Sequence, residues 1–259
     1  MLDVSTFLAW YLPLTAAHVG LTAVAVALGI AAERSPFGRA RQIQSDPLPP
    51  GQLRRELVSN VVFCLLAPAA LAAALAADAL PLGPDTLLRG LATFALCSVG
   101  FDTYYYGLHR AMHLRRLMPI HRHHHLSRVT TPLTGQSMSL LEMLGWLGGY
   151  IGVPWLIGQL VPLGLVGYLA YLAYNVFGNV LGHANVEMGP PALTRSPTVW
   201  FVHPYTFHAL HHARFTRHFG FASTFMDRLG RTEWPDWVDA YEQVIRGEPL
   251  HDHGKLGPR

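Results

Sequence analysis

The chain alternates between long apolar segments and polar segments that contain most of its charged residues. A helix needs about 20 predominantly apolar residues to cross the hydrocarbon core of a bilayer. The first three segments qualify clearly, and the last two are separated by only a few residues, which favours a helical hairpin. The five segments are Phe7–Ala31, Leu57–Ala77, Leu87–Tyr106, Leu140–Ile157 and Val161–Leu181. This pattern predicts an all-α polytopic membrane bundle with four to five membrane helices.

The composition supports membrane residence. Of the 259 residues, 51% are hydrophobic and only 14% are charged, whereas charged residues make up about 25% of an ordinary soluble domain. A soluble helical bundle with an unusually apolar core is the alternative that these values leave open.

Lysine and arginine are distributed unevenly among the polar segments. Eighteen of the 19 lie in residues 33–55, in residues 107–139 or beyond residue 181, and the loops 78–86 and 158–162 contain none. Cytoplasmic loops of membrane proteins carry such an excess. We therefore expect an integral protein of a bacterial inner membrane, with its N-terminus outside and the basic segments in the cytoplasm. The same rule accounts for the net charge of +3 without a nucleic-acid partner.

Eight histidines fall into three clusters, all within the segments expected in the cytoplasm. Residues three and four apart share one face of a helix, so the spacing predicts that each cluster directs its imidazoles one way. Imidazole is a ligand for iron, zinc and copper. Eight such ligands exceed what one metal ion takes, so the clusters predict a dinuclear metal site. The clusters are His109 and His113; His121, His124 and His125; and His208, His211 and His212.

The last apolar segment carries a polar stripe. Asn175, Asn179, His183 and Glu187 recur every four residues, and such a stripe is costly in a membrane unless it faces a functional interior. We predict His183 as a ninth ligand. Asn179 and Glu187 are candidates for holding a metal-bound water or an imidazole N–H. The alternative for His183 is a helix-terminal histidine bonded to the backbone.

Two further carboxylates are expected at membrane depth. Asp102 precedes His109 by two helical turns, and Glu142 begins the fourth apolar segment. Either could orient a ligand imidazole through its distal N–H, although Asp102 could equally pair with a tyrosine or an arginine. Five aromatic residues near these positions are assigned to the belt at the membrane interface rather than to a pocket. They are Tyr104, Tyr105, Tyr106, Trp146 and Trp155.

Histidine ligands limit which metal ions, and therefore which reactions, the site can support. Zinc would indicate hydrolysis, but the intramembrane protease signature His-Glu-x-x-His is absent from the sequence. Bis-histidine haem ligation needs single opposed histidines rather than clusters. A membrane location implies an apolar substrate with unreactive C–H bonds, which requires an oxidising metal such as iron. A zinc hydrolase and a non-enzymatic membrane metal-binding protein remain the alternatives.

Four runs of sequence resemble the fatty acid hydroxylase and sterol desaturase superfamily of membrane di-iron oxidases. The resemblance covers Phe94 to Thr232. Within it, the motifs are similar to those of plant wax-type aldehyde decarbonylases and their bacterial relatives. Some fatty acid 2-hydroxylases of this superfamily have a further histidine at the position of Glu187. The runs are DTYYYGLHRAMH, GNVLGHANVEM, HRHHHLSRVTTPLT and HALHHARFTRHFGFASTFMDRLGRT.

The resemblance implies about four spanning helices and a cytosolic cap that holds two iron ions, which zinc can replace during purification. It implies that the eight clustered histidines and His183 are the ligands. Members hydroxylate or desaturate lipids and sterols with O2 and electrons from a separate donor. This sequence has no cytochrome b5-like His-Pro-Gly-Gly run and no glycine-rich nucleotide fingerprint, so we expect a ferredoxin-, rubredoxin- or cytochrome-type partner.

We therefore predict one domain over residues 1–259. Residues 1–181 form membrane helices with the first two histidine clusters in a cytosolic loop, and residues 182–259 form a cytosolic cap with the third. The expected activity is O2-dependent hydroxylation of an aliphatic C–H bond in a lipid-like or sterol-like substrate. Desaturation or aldehyde deformylation on the same scaffold is the alternative.

Overall fold

The computed structural model describes residues 3–252, 254 and 255. These residues form ten α-helices and four short 3-10 turns; across the same ranges, β-pairing is limited to isolated bridges. The prediction of an all-α protein is confirmed. In chain order the helices are α1 (Val4–Arg34), α2 (Pro36–Arg39), α3 (Gln52–Ala76), α4 (Leu87–Met112), α5 (Met118–His121), α6 (Leu140–Gly158), α7 (Leu165–Gly182), α8 (Tyr205–Arg214), α9 (Phe225–Gly230) and α10 (Trp237–Ile245).

Four of these helices, α1, α3, α6 and α7, are long and apolar enough to cross a membrane, which confirms the predicted number. Helix α4 contains the predicted segment Leu87–Tyr106 but is not among the four. It is 26 residues long, so length does not exclude it. Arg89, Asp102 and three consecutive tyrosines reduce its hydropathy.

Helix α4 nevertheless lies within the bundle, where it packs against α6 and α7, while α1 packs against α3 and α7. Phe101 of α4 is buried at the centre of an aromatic cluster, with ring centroids 5.5 Å from Trp146 and 5.3 Å from Tyr150. Such ring pairs contribute about 0.5–1.5 kcal/mol beyond their buried area. The aromatic cluster therefore helps to hold α4 between the apolar helices.

The prediction that the aromatic residues form an interfacial belt is wrong for Tyr105, Tyr106 and Trp146. All three are buried, and Tyr105 and Trp146 contact each other with ring centroids 5.1 Å apart. Trp155 is exposed, as the belt would require. Tyr105 and Trp146 lie where α4 packs against α6, so they fill the interior of the bundle.

The remaining helices form a cap at one end of the bundle. Its hydrophobic core joins Phe207 and Leu210 of α8 to Tyr241 of α10, and Ile43 from the segment between α2 and α3 packs into the same core. The backbone of Ile43 also bonds to Leu250 and Asn185. The basic segment 33–55 and the C-terminal segment thus lie together, as the charge distribution predicted.

The second histidine cluster does not lie on one continuous helix, contrary to the expectation from its spacing. His121 ends the four-residue helix α5, whose first turn contains Pro119, a position that suits proline. His124 and His125 follow in a separate 3-10 turn. The change of helix type between these residues turns adjacent imidazoles in different directions.

Candidate metal centre

The structure brings all nine predicted histidines together at the junction of the bundle and the cap. They form two groups, and within each group the nitrogen atoms lie within 4.8 Å of one another. We refer to them as the five-histidine group and the four-histidine group. The first comprises His109, His113, His121, His125 and His211, and the second comprises His124, His183, His208 and His212.

The spatial groups do not follow the sequence clusters. Helix α8 carries the third cluster, but His211 joins the five-histidine group while His208 and His212 join the other. The neighbours His124 and His125 are divided in the same way. The second and third clusters therefore contribute to both groups and connect them through the backbone, whereas the first cluster contributes only to the five-histidine group.

Three imidazoles of the five-histidine group are oriented by hydrogen bonds from Nδ1. His109 donates to the carbonyl of Phe219 at 2.9 Å, and His211 donates to the carbonyl of Arg217 at 2.7 Å. His121 donates to the buried carboxylate of Glu142 at 2.7 Å. The serine before this carboxylate, Ser139, caps the first turn of α6, which fixes where Glu142 lies.

Three imidazoles of the four-histidine group are oriented by carbonyls alone. His124 donates to Ser137 at 3.1 Å, His183 to Asn179 at 2.6 Å and His212 to Ser127 at 2.9 Å. A neutral imidazole that donates from Nδ1 carries a free lone pair on Nε2. Nε2 is thus the available ligand atom on each of these six rings.

These lone pairs face one another. Nε2 of His109 lies 3.0 Å from Nε2 of His121, although the Nδ1 atom of each ring already donates to an oxygen. Two acceptors at this distance repel unless a cation lies between them or one ring is protonated. Burial, followed by neighbouring imidazoles, lowers the pKa of both His211 and His212 well below the usual range. The neutral, metal-binding form is therefore favoured, and the donor set fits two metal ions.

The four residues predicted to orient ligands have different outcomes. Glu142 contacts an imidazole, as described above. The carboxylate of Asp102 accepts from the N–H of Ala222 and the hydroxyl of Ser223, which places it with a cap loop instead of a histidine. Glu187 likewise accepts from the N–H groups of Gly189 and Thr206.

Asn179 acts through its backbone rather than its side chain. Its carbonyl accepts from His183, whereas its side-chain amide donates to the carbonyl of Gly135 at 2.6 Å. His183 is the C-cap residue of α7, so the alternative of a backbone-bonded terminal histidine also holds. The backbone bond leaves Nε2 free, and this atom lies 2.9 Å from Nε2 of His208.

Sequence reasoning missed Glu56, a fully buried carboxylate at the start of α3. It accepts hydrogen bonds from the hydroxyls of Ser127, Thr131 and Thr134 at 2.6–2.7 Å, and from the amide of Gln52 at 2.9 Å. Ser127 is the residue whose carbonyl orients His212. The available signal was a lone acidic residue beside an apolar segment, together with the hydroxyl-rich run at 130–134.

A cavity of about 270 Å³ adjoins the four-histidine group. His183 and His208 line it, and no member of the five-histidine group does. Among the other lining residues is His203, which is buried. Most of the cavity wall comes from α7 and two cap loops, through Tyr174, Gly178, Asn179, Gly182, Val202, Tyr205, Phe221 and Ala222, with Tyr105 from α4.

The fold and the site together define a helical membrane protein whose histidine-only centre is able to hold two metal ions. The model of the fatty acid hydroxylase family matches residues 94–232, which is more than half of the chain and includes all nine histidines. The chain belongs to the fatty acid hydroxylase family, and it is an integral membrane protein.

Curated relatives are similar over a comparable region. Very-long-chain aldehyde decarbonylase GL1-4 of Oryza sativa subsp. indica is 30% identical over 166 residues, which are 61% of this chain and 26% of the relative. Protein CER1-like 1 of Arabidopsis thaliana is 32% identical over 137 residues, covering 51% and 22%. Very-long-chain aldehyde decarbonylase CER1 of Arabidopsis thaliana is 28% identical over 169 residues, covering 63% and 27%. The chain thus spans about a quarter of the length of these relatives. No solved structure matches the chain significantly.

Proposed function

We propose that the protein is an O2-dependent di-iron oxidoreductase that hydroxylates an aliphatic C–H bond of a lipid-like or sterol-like substrate. The observation that carries this proposal is the close approach of ring nitrogens from nine imidazoles, eight of them buried, in two adjoining groups. Membership of the fatty acid hydroxylase family supports it. The membrane helices support an apolar substrate that reaches the centre from the bilayer.

Each histidine group holds one iron ion in this proposal. Two iron ions at these positions supply the activation of O2 and the oxidation of the C–H bond. The protein orients the imidazoles through Glu142 and the backbone carbonyls and keeps the rings neutral by burying them. It also excludes bulk water from the reacting atoms, because eight of the nine histidines are buried.

The cavity beside the four-histidine group is the proposed substrate site. It ends at His183 and His208, so a substrate held there lies next to one half of the centre. Gly178 and Gly182 leave open space on the wall formed by α7, since a Cβ atom at either position would meet nothing within 4 Å. An aliphatic chain can therefore lie along this face of α7.

Electrons are proposed to come from a separate ferredoxin-, rubredoxin- or cytochrome-type donor. The segment that carries the second histidine cluster exposes Arg115, Arg116 and Arg122, and this charge complements an acidic carrier. The proposed orientation places this face in the cytoplasm of a bacterial cell, with the N-terminus outside. Reporter fusions to either end test that orientation, because a cytoplasmic C-terminus makes a fused green fluorescent protein fluorescent.

The decisive experiment combines metal analysis with isotope labelling. Protein purified without oxygen is expected to contain two iron ions, and cells that express it under ¹⁸O2 are expected to accumulate a lipid with one labelled oxygen atom. The His124→Ala variant should lose both properties. The matched control is His123→Ala, since His123 bonds to Ser59 at 3.0 Å instead of joining either group. Full activity with two zinc ions and no requirement for O2 would refute the proposal.

Aldehyde deformylation is the second candidate. It is favoured by the similarity to proteins named as very-long-chain aldehyde decarbonylases. Purified protein given a long-chain aldehyde would then release a hydrocarbon one carbon shorter. Desaturation on the same scaffold would instead yield an alkene without loss of carbon. A metal-binding protein without enzymatic activity would bind iron and change no lipid, and that result would contradict both the hydroxylase and the deformylase.

A further inference from the structure

The cap exposes a patch of large apolar side chains beside the bundle. Phe201 is 72% exposed and Leu229 is 70% exposed, which is unusual for residues of this size on a surface that faces water. We call this patch the apolar cap surface. It consists of Trp200, Phe201, Val202, Phe225 and Leu229, all of them exposed.

The apolar cap surface is held in shape by contacts between its two segments. The hydroxyl of Thr224 donates to the carbonyl of Val199 at 2.7 Å, and the backbone of His203 donates to Ala222 at 3.0 Å. The rings of Trp200 and Phe225 lie 6.4 Å apart. Phe225 and Leu229 are four residues apart in α9 and so share one face. The exposure is thus a property of an ordered surface.

The surface lies beside the cap ends of the bundle helices. The loop that precedes α9 is attached to α4, since Asp102 accepts from Ala222 and Ser223, and the segment around Phe201 is attached to that loop through the bond of His203 to Ala222. Val202 shares the cavity wall with Tyr174 and Gly178 of α7, which precede the end of that helix at Gly182 by eight and four residues. At about 1.5 Å per residue, this part of the cavity wall lies roughly 6–12 Å inside the cap end of an apolar helix.

One arginine borders the apolar residues. The guanidinium of Arg228 lies 4.7 Å above the ring of Trp200 and forms an ion pair with Glu233 at 3.2 Å. Tryptophan and arginine are typical of the boundary between acyl chains and lipid headgroups, where an amphipathic ring and a charged group both find partners. A surface of this composition that adjoins membrane helices is suited to lipid.

We propose that the apolar cap surface is inserted into the lipid leaflet on the cap side of the membrane. Phe201 and Leu229 contact the upper acyl chains, and Trp200 with Arg228 lies at the headgroups. The occupant is lipid because the surface adjoins α4 and α7, which also expose apolar side chains such as Val99 and Tyr174. This role is separate from the proposed oxidation and needs no metal ion.

The test measures depth at two labelled positions. Cys64 and Cys97 are buried and are replaced by alanine, after which Phe201→Cys is labelled with the environment-sensitive fluorophore NBD in the full protein reconstituted into phospholipid nanodiscs. We expect blue-shifted emission, strong quenching by lipids spin-labelled near the carbonyl group, and several-fold weaker quenching by aqueous iodide than at the control. The control is Glu248→Cys, a well-exposed cap position.

A second labelled position shows whether the result at residue 201 comes only from a local structural change caused by that substitution. Leu229→Cys, labelled in the same way, should show the same quenching pattern, because it lies in the other segment of the surface. Equal iodide quenching at positions 201, 229 and 248, with no quenching by spin-labelled lipid, would overturn the proposal. The measurement uses protein without added iron, so its result does not depend on the proposed activity.

Discussion

The two histidine groups are oriented by different means, and the contrast suggests distinct roles. In the five-histidine group a buried carboxylate, Glu142, accepts from His121, while carbonyls accept from two other rings. In the four-histidine group every such acceptor is a backbone carbonyl. A carboxylate partner raises the basicity of an imidazole ligand more than a neutral carbonyl does. An ion in the five-histidine group therefore has the more electron-rich surroundings.

The groups also differ in access. The cavity reaches only the four-histidine group, through His183 and His208. One ligand fewer on that side leaves more of the coordination sphere for other molecules, in the way that catalytic metal sites keep a position open. We infer that the four-histidine group lies beside the substrate and that the five-histidine group supports it. Each prediction below tests this contrast.

The largest effect is expected from removing one ligand of either group. His211→Ala and His212→Ala should each reduce the iron content from two ions to about one. Loss of a group that hydrogen-bonds to a ligand costs up to roughly 100-fold in activity, and loss of the ligand itself should cost more. Elemental analysis and product formation measure the two effects. Retention of two iron ions in either variant would show that its ring is not a ligand, and His123→Ala serves as the unaffected control.

The next largest effect should distinguish the five-histidine group from the four-histidine group. Glu142→Gln keeps the size of the side chain but removes the charge that supports His121, so iron affinity should fall about 10- to 100-fold at one of the two sites. Titration with a chelator would then show one weakened and one unchanged ion. Equal weakening of both ions would mean that Glu142 acts on the whole centre and that the groups are not distinct.

A smaller effect should follow from Glu56→Gln. An amide cannot accept from all four donors that surround this carboxylate, and hydrogen bonds to a charged group contribute about 1.5–3 kcal/mol. We expect a lower thermal unfolding temperature and selective loss of iron from the four-histidine group, since Ser127 links Glu56 to His212. The matched control is Glu242→Gln, which alters an exposed pair with Arg195 worth about 0–1 kcal/mol.

The next prediction tests whether the cavity beside the four-histidine group binds the substrate. Gly178→Leu places a side chain in open space within the cavity, so turnover of a long-chain substrate should fall by about 10-fold, the effect of roughly 1.4 kcal/mol at the transition state. Iron content should not change. Gly20→Leu is the control, because its Cβ also meets nothing within 4 Å but lies on α1, away from the cavity. Unchanged turnover in Gly178→Leu would exclude this cavity as the substrate site.

The smallest effect concerns pH and is shared by both groups. In the metal-free protein, burial as the largest cause lowers the pKa of His113 to about 3 and of His183 to about 4. Because the folded-state pKa lies below the unfolded value of about 6.5, the contribution to stability is present above pH 6.5 and is lost as the pH falls towards the folded value. Lowering the pH from 7 to 6 protonates each such histidine in the unfolded state but not in the folded state. The free energy of unfolding should therefore fall by about 0.7 kcal/mol per histidine.

Chemical unfolding of the metal-free protein at the two pH values measures this change. His183→Gln is expected to reduce the dependence on pH, since it removes one of the groups that titrates differently in the two states. A stability that is constant or higher at pH 6 would contradict the neutral state assigned to these buried rings.

Much of the fold was predictable from local sequence patterns. Apolar segments of the right length identified the four spanning helices, and basic residues identified the segments that meet in the cap. Helix α4 was harder to place because it is not uniformly apolar and buries its aromatic face inside the bundle. Its tyrosines are buried by α6 and by a cap loop distant in the chain, as the contacts of Tyr105 with Trp146 and Phe221 illustrate. A pattern along one helix does not reveal such neighbours.

The sequence by itself determined an all-α membrane protein with nine candidate ligands, because hydrophobic length and the spacing of histidines are local properties. Only the tertiary structure decided how those histidines divide, which Nδ1 atom meets a carbonyl, and that Glu142 rather than Asp102 supports a ring. These features depend on backbone groups brought together across long stretches of chain, such as Phe219 with His109 and Ser127 with His212. A carbonyl is present in every residue, so its direction becomes specific only when the chain is folded.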